Sequence, residues 1–351
     1  MKKILLLLFV LTSSNIFSQI NSIGELIRGG VEDGQKLMKS YLFPYEKALG
    51  YTAVDNCKIY LSNNNDDAFH LGIGLKVNSI FISKENLSFD VNSLNLTRME
   101  PADNNFHITP TLFGDTTSIA MKSKDSFKPP FKPSQAVATF QTPQGIGFHA
   151  LPMPELQLAA SYKNSQILLS AYYLPYKNVT LIGYNISINS QISSYFDLTK
   201  DFPVQFDISA AYGGSYQRVD LDVQPDAIFE AFAKGPYDDQ KFLLNLQGFS
   251  IGMGANYRII NFTVYSNFYF QSFKSRTQVL GNFPINVKDP SGTFGANIED
   301  VTDPIDYNIS LNSFRFNFGT QYDFLKIMYV KIDYSISSYN SLGIAFGVKI
   351  L

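Results

Sequence analysis

The chain has 351 residues, 45% of them hydrophobic and only 17% charged, with 28 Lys and Arg against 30 Asp and Glu. This near-neutral balance contains no block of basic residues, which excludes an electrostatic nucleic-acid surface. A lone cysteine, Cys57, excludes an intramolecular disulfide and a multi-thiolate metal site, and no motif calls for a cofactor.

Lys2 and Lys3 precede an apolar run from Ile4 to Leu11, and small and polar residues then lead to a cut between Ser18 and Gln19. That is the pattern of a cleaved secretory signal peptide over residues 1–18. Beyond it, no stretch reaches the ~18 consecutive apolar residues that a membrane-crossing helix needs. Residues 19–50 read as a helical segment. Ser22 and Glu25 have capping-box spacing, and Ile23, Leu26, Ile27, Leu37, Met38 and Leu42 form a rough apolar stripe. Gly29, Gly30 and Gly34 interrupt that stripe, Pro44 breaks it and Gly50 offers a cap, so two short helices are expected. Inside a barrel, such a segment would fill the lumen or close its periplasmic mouth; a loosely docked periplasmic tail is the other reading.

From Ala68 the period becomes two. Phe69, Leu71, Ile73, Leu75 and Val77 alternate with His70, Gly72, Gly74, Lys76 and Asn78, as the side chains of a strand with one apolar and one polar face do. A return strand is expected near Leu87 to Leu96, and a short one near Phe106 to Phe113. Most of Thr97 to Pro133 reads as a loop, because Lys128 to Pro133 cannot enter a sheet interior. Strands follow at Val137–Gln141, Leu156–Tyr162, Ile167–Leu174, Ile182–Ser193, Val204–Tyr212, Phe249–Tyr257 and Ile260–Phe270. A phase change between Leu246 and Phe249 suggests a bulge at Gly248. Outer loops are expected at Arg218–Lys241, with a short helix over Asp226–Ala233, and at Lys274–Tyr307. The chain ends in three clean alternating strands after Ile309, in which Phe314, Phe316 and Phe318 oppose Arg315, Asn317 and Gly319.

These segments predict an all-β fold, an antiparallel transmembrane β-barrel of about 12–14 strands over residues 51–351 with an N-terminal helical plug. A soluble β-sandwich is the competing architecture on alternation alone. Thirty Phe and 21 Tyr suit interface girdles, with Tyr standing in for the absent Trp. The expected partners are outer-membrane lipid and lipopolysaccharide, the barrel-assembly machinery and a small hydrophobic cargo, with no nucleic acid. The polar faces place Lys76, Asp207, Arg315, Asp323, Lys331 and Asp333 as lumen-lining candidates, and the apolar stripe makes Leu26, Ile27, Leu37, Met38 and Leu42 the plug candidates. His70, His107 and His149 fall in no catalytic motif, so no enzyme and no catalytic residue is expected. The glycine pairs Gly72/Gly74 and Gly252/Gly254 are strand-spaced and fit close approach to the wall rather than a phosphate loop. Acidic residues such as Asp220, Asp222, Asp300, Asp303 and Asp306 lack the spacing of a calcium loop.

The pieces Tyr41-Leu42 with Pro44, Ala48-Leu49-Gly50, Pro110 to Gly114, and Gly145 to Phe148 leading to Leu151–Leu158 resemble an uncharacterised family of Gram-negative outer-membrane proteins. That resemblance implies a signal peptide, an N-terminal helix and a β-barrel in the outer membrane, and no assigned activity. The architecture is also similar to that of the long-chain fatty-acid transporter superfamily, in which an N-terminal segment plugs the barrel, although no motif of that superfamily occurs. The expected function is a passive channel or transporter for small or hydrophobic molecules. A structural or adhesive surface barrel acting through its loops is the alternative, and a lipase- or protease-like barrel enzyme comes third.

Overall fold

Period-two segments long enough to span a bilayer become the wall. Among the residues that the computed structural model describes (22–56, 58–61, 68–127, 134–193, 203–225, 230, 233–289, 296–325 and 327–350), ten strands close into one antiparallel barrel. They are β1 Phe69–Phe81, β2 Ala150–Tyr162, β3 Ser165–Tyr176, β4 Val179–Gln191, β5 Gln205–Asp220, β6 Lys241–Ile259, β7 Phe262–Leu280, β8 Ile305–Phe324, β9 Met328–Ile336 and β10 Ser341–Lys349. Each pairs with its neighbour in sequence, and β1 closes the ring, with Leu75 opposite Phe346 of β10 and Leu156 of β2. The predicted signal peptide, Cys57, Lys128–Pro133 and most of the helix expected over Asp226–Ala233 lie outside the described residues.

Ten strands replace the expected 12–14. The segments expected near 87–96, 106–113 and 137–141 form pieces such as Ser88–Asp90, Ile108–Pro110 and Thr139–Gln141, in small sheets within the 82–149 connection. Three-residue strands cannot cross a hydrocarbon layer, which takes about 9–11 tilted residues. Nor is there a bulge at Gly248. Both neighbours of β6 stay in register through it, with Gly213 on one side and Phe273 on the other. What changes there is the medium.

The outer face carries a continuous apolar belt: Leu75, Leu156, Ile167, Ile186, Ile208, Ile251, Phe268, Phe316, Ile332 and Phe346, one from each strand in turn, are all exposed. Exposed Tyr162, Tyr257 and Tyr322 rim one edge of the belt, and Tyr173 and Tyr216 lie toward the other. In β6–β8 the belt covers only half of each strand. Along β7, Phe262, Val264 and Phe268 point outward in the first half, but Lys274, Arg276 and Gln278 in the second. Inward residues invert at the same level: Phe242, Leu244 and Leu246 in β6 and Ile305, Tyr307 and Ile309 in β8 are apolar and buried. The barrel therefore stands proud of its belt at one end, where water is outside and a hydrophobic core inside.

That core receives the N-terminal segment. A 3-10 helix, Ser22–Gly29, is followed by α1, Val31–Ala53. The break falls at Gly30, whose φ of +115° only glycine adopts cheaply, and not at Pro44, which sits inside α1. A helix-interior proline costs about 3 kcal/mol, and burial around it offsets this: Leu42, Tyr45, Ala48 and Leu49 are all buried. Gly50 is no cap either. A Cβ there would lie 2.2 Å from the Phe273 ring, so its bare backbone lets the helix lie against the wall.

Candidate functional site

The lumen is built in two layers, and the N-terminal chain runs through both. In the upper layer, the end that stands beyond the belt, α1 packs by apolar contact. Leu26, Ile27, Leu37, Met38 and Leu42 are all 1% exposed or less and share one core with Phe242, Leu244, Phe273 and Ile309. Each such side chain contributes about 2 kcal/mol when buried. Two carboxylates pin the helix. Asp33 accepts hydrogen bonds from the backbone N–H groups of Thr97, Arg98 and Met99 at 2.7–2.8 Å, and from the Thr97 hydroxyl at 3.1 Å. Glu46 accepts from the hydroxyls of Ser275, Thr277 (2.9 Å) and Tyr307 (2.8 Å). Burial pushes the Glu46 carboxyl above its ordinary range despite those donors.

In the lower layer, at the level of the belt, the contacts turn polar. The chain leaves the helix through a turn at Val54 and descends through Asp55 and Asn56 to Lys58–Leu61. Asn185 and Gln271 donate to the carbonyls of Ala53 (2.8 Å) and Val54 (3.3 Å). Asp55 pairs with Lys76 and, at 3.3 Å, with Arg315. Lys58 reaches Asp207 at 2.6 Å, and Asn256 donates to the same carboxylate at 2.7 Å. Two glutamines on opposite walls use both ends of their amides. Gln166 accepts from Ile59 N and donates to Ile59 O, and Gln321 does the same for Tyr60. Each stands in for a neighbouring strand, so a backbone with no sheet partner still has its polar groups satisfied. At the bottom, Leu61 lies where a Gly72 Cβ would be, 2.6 Å away.

The structure places all six lumen-lining candidates inside the wall and buried. Lys76 and Arg315 meet on Asp55, and Asp207 meets Lys58. Lys331 donates to the Lys58 carbonyl at 3.0 Å and lies 3.7 Å from Asp333, whose other carboxylate oxygen accepts from Asn317. Asp323 is held by Arg258 and Lys349 at 2.8 and 2.7 Å, away from the inserted chain. Sequence reasoning missed Asp55, Lys58, Gln166 and Gln321. The glutamines sit in phase with the polar faces and were findable; Asp55 and Lys58 lie in a stretch with no period.

Several buried wall groups, including Asn78 Oδ1, Glu155 Oε1, Gln157 Oε1, Ser161 Oγ and Ser250 Oγ, find no hydrogen-bond partner among the described residues. A cavity of about 40 Å³ at the lower mouth is lined by Lys58, Ser161, Lys163, Gln166 and Gln205. At the upper end a groove of about 320 Å³ runs between α1 and the 85–89 segment, walled by Phe43, Pro44 and Phe89 with Lys39 and Glu85 at its edges. His70 is the second residue of β1, at the lower end, whereas His107 and His149 lie in the upper 82–149 connection. Among the acidic loop residues, Asp220 pairs with Arg218, Asp306 with Arg276, and Asp300 accepts from Tyr237. No group of three metal-ligating side chains occurs among the described residues.

The model of a family of unknown function (DUF6588) matches residues 1–350, and the chain belongs to that family. No curated protein matches it. Among solved structures it is similar to the outer-membrane protease OmpT of Escherichia coli, at 10% identity over 83% of this chain and 97% of that one, with a TM-score of 0.32. It is likewise similar to the attachment invasion locus protein Ail of Yersinia pestis (8%, 80% and 95%, 0.25) and to the toluene transporter TodX of Pseudomonas putida (10%, 85% and 96%, 0.26). Scores this low assign no function to the chain.

Proposed function

We propose that this member of the DUF6588 family is a Gram-negative outer-membrane barrel that passes small or hydrophobic molecules through a lumen closed by its own N-terminal segment. The unbroken apolar belt supports the membrane location, since water would not tolerate so large an exposed apolar surface on a monomer. One observation carries the transport reading: at the level of the belt the inserted chain is held by ion pairs and side-chain amides against a polar wall. A purely structural barrel would gain more from apolar filling, because buried ion pairs repay little of their desolvation cost. At that level polar contacts can be exchanged for water, where apolar ones could not be without loss. The groove beside Phe43, Pro44 and Phe89 gives a hydrophobic cargo a first resting place. The reading calls for no cofactor and no catalysis, and its partners are lipid, lipopolysaccharide and the machinery that assembles barrels.

Asp55→Asn is the direct test. It leaves Lys76 and Arg315, both almost fully buried, without the inserted chain's carboxylate, a loss on the order of 3 kcal/mol from plug docking. Proteoliposomes carrying the variant should admit small solutes at least tenfold faster than those carrying the parent protein. Equal rates, with the variant folded, would count against a displaceable plug.

A further inference from the structure

The N-terminal chain enters the lumen from one end and leaves at the other. Its upper part is gripped by upper-end groups: Arg28 donates to the carbonyl of Gln224 in the β5–β6 loop, and Asp33 holds Thr97–Met99 in the β1–β2 connection. Its lower part meets the opposite rim, with Lys58 on Asp207 near the start of β5 and Leu61 against Gly72 near the start of β1. Lengths agree with a full passage. The 23 residues of α1 alone span about 35 Å. That exceeds the ~25 Å of an apolar belt.

The two ends of the barrel differ. At the lower end, β6 turns into β7 through Ile260-Asn261, β2 into β3 through Lys163-Asn164 and β8 into β9 through 325–327, with 192–204 the one longer link, and β10 finishes the barrel there. The upper end carries the connections 82–149, 221–240 and 281–304, and the wall projects beyond the belt only there. In outer-membrane barrels short turns face the periplasm and long loops face outward. We infer that the chain is threaded through its own barrel, so that the segment around Ser22–Glu32 is presented on the outside of the cell while β1 begins and β10 ends on the periplasmic side. The inference rests on the outer-membrane location proposed above. It makes Glu25 and Glu32, the exposed side chains at the upper end of the plug, accessible to agents outside the cell, and it requires the strands to close around a chain already passed between them.

Cysteine accessibility on intact cells tests this. In a Cys57→Ser background, Glu32→Cys replaces a residue whose side chain is 67% exposed at the start of α1. Asn105→Cys marks the upper connection, and Asn261→Cys marks a lower turn; both parent residues are exposed. A membrane-impermeant maleimide should label Glu32→Cys and Asn105→Cys on intact cells, and Asn261→Cys only after the outer membrane is permeabilised. Glu32→Cys behaving like Asn261→Cys while Asn105→Cys is labelled would overturn the threading. Labelling of Asn261→Cys alone would overturn the orientation. If none of the three is labelled before permeabilisation and the protein is absent from outer-membrane fractions, the location reading fails first and the inference falls with it.

Discussion

At the scale of single residues, the buried carboxylates of the N-terminal segment are the points where the plug is most sensitive to substitution and to pH. Glu46 sits beyond the belt with a carboxyl pKa raised above its ordinary 4.5 by burial. A raised folded-state pKa means that the docked helix prefers the protonated acid. The stability this confers is complete below the unfolded pKa and is lost as pH rises through the folded one. Docking should therefore weaken as pH rises above the ordinary carboxylate range, and Glu46→Gln, which keeps an acceptor for Thr277 and Tyr307, should remove that slope. Hydrogen exchange of the α1 amides against pH would read this out; a slope unchanged in the variant would assign it to another group. None of this was visible in the sequence, where nothing singles out Glu46. Asn317 teaches the converse. Alternation places it correctly on the lumen face, but its amide already donates to Asp333 and Ser335 at 3.2 and 2.9 Å, so a lumen position is not a neutral one.

At the scale of elements, strand and helix fail in different ways. Phe318 lies near the middle of the β8 belt and is 42% exposed, so Phe318→Arg should cost about 2–4 kcal/mol and impair membrane assembly. Ser161→Asp, facing the lower mouth beside Lys58 and Lys163, should leave heat-modifiable gel mobility intact. Equal loss in both variants would contradict the assigned faces. Leu42→Ala should instead cost about 2–5 kcal/mol of helix docking and leave the barrel closed, so protease should reach α1 before it reaches the strands. The strands were legible because period two reports directly on two different media. The helix was legible as amphipathic, but its ends were not, because Pro44 and Gly50 obey the packing around them rather than their propensities. Strand number was overcounted for a related reason: alternation in Val137–Gln141 reports a local sheet, and only length separates it from a wall.

At the scale of the whole molecule, two environments are stacked along one barrel. Upper β6–β8 have water outside and apolar packing inside, whereas at the belt lipid is outside and a polar lumen inside. This inversion explains why Leu246 and Phe249 change phase without a bulge, and it coincides with the end of α1 at Ala53. The central claim is that the inserted segment, and not the wall, closes the lumen. The measurement that tests it most directly is single-channel conductance in planar bilayers, comparing the protein with a version lacking residues 20–61. The account predicts a closed parent protein and a deletion variant that conducts continuously while keeping heat-modifiable mobility. A folded deletion variant that stays silent, or a parent protein that conducts as well as its deletion, would contradict it.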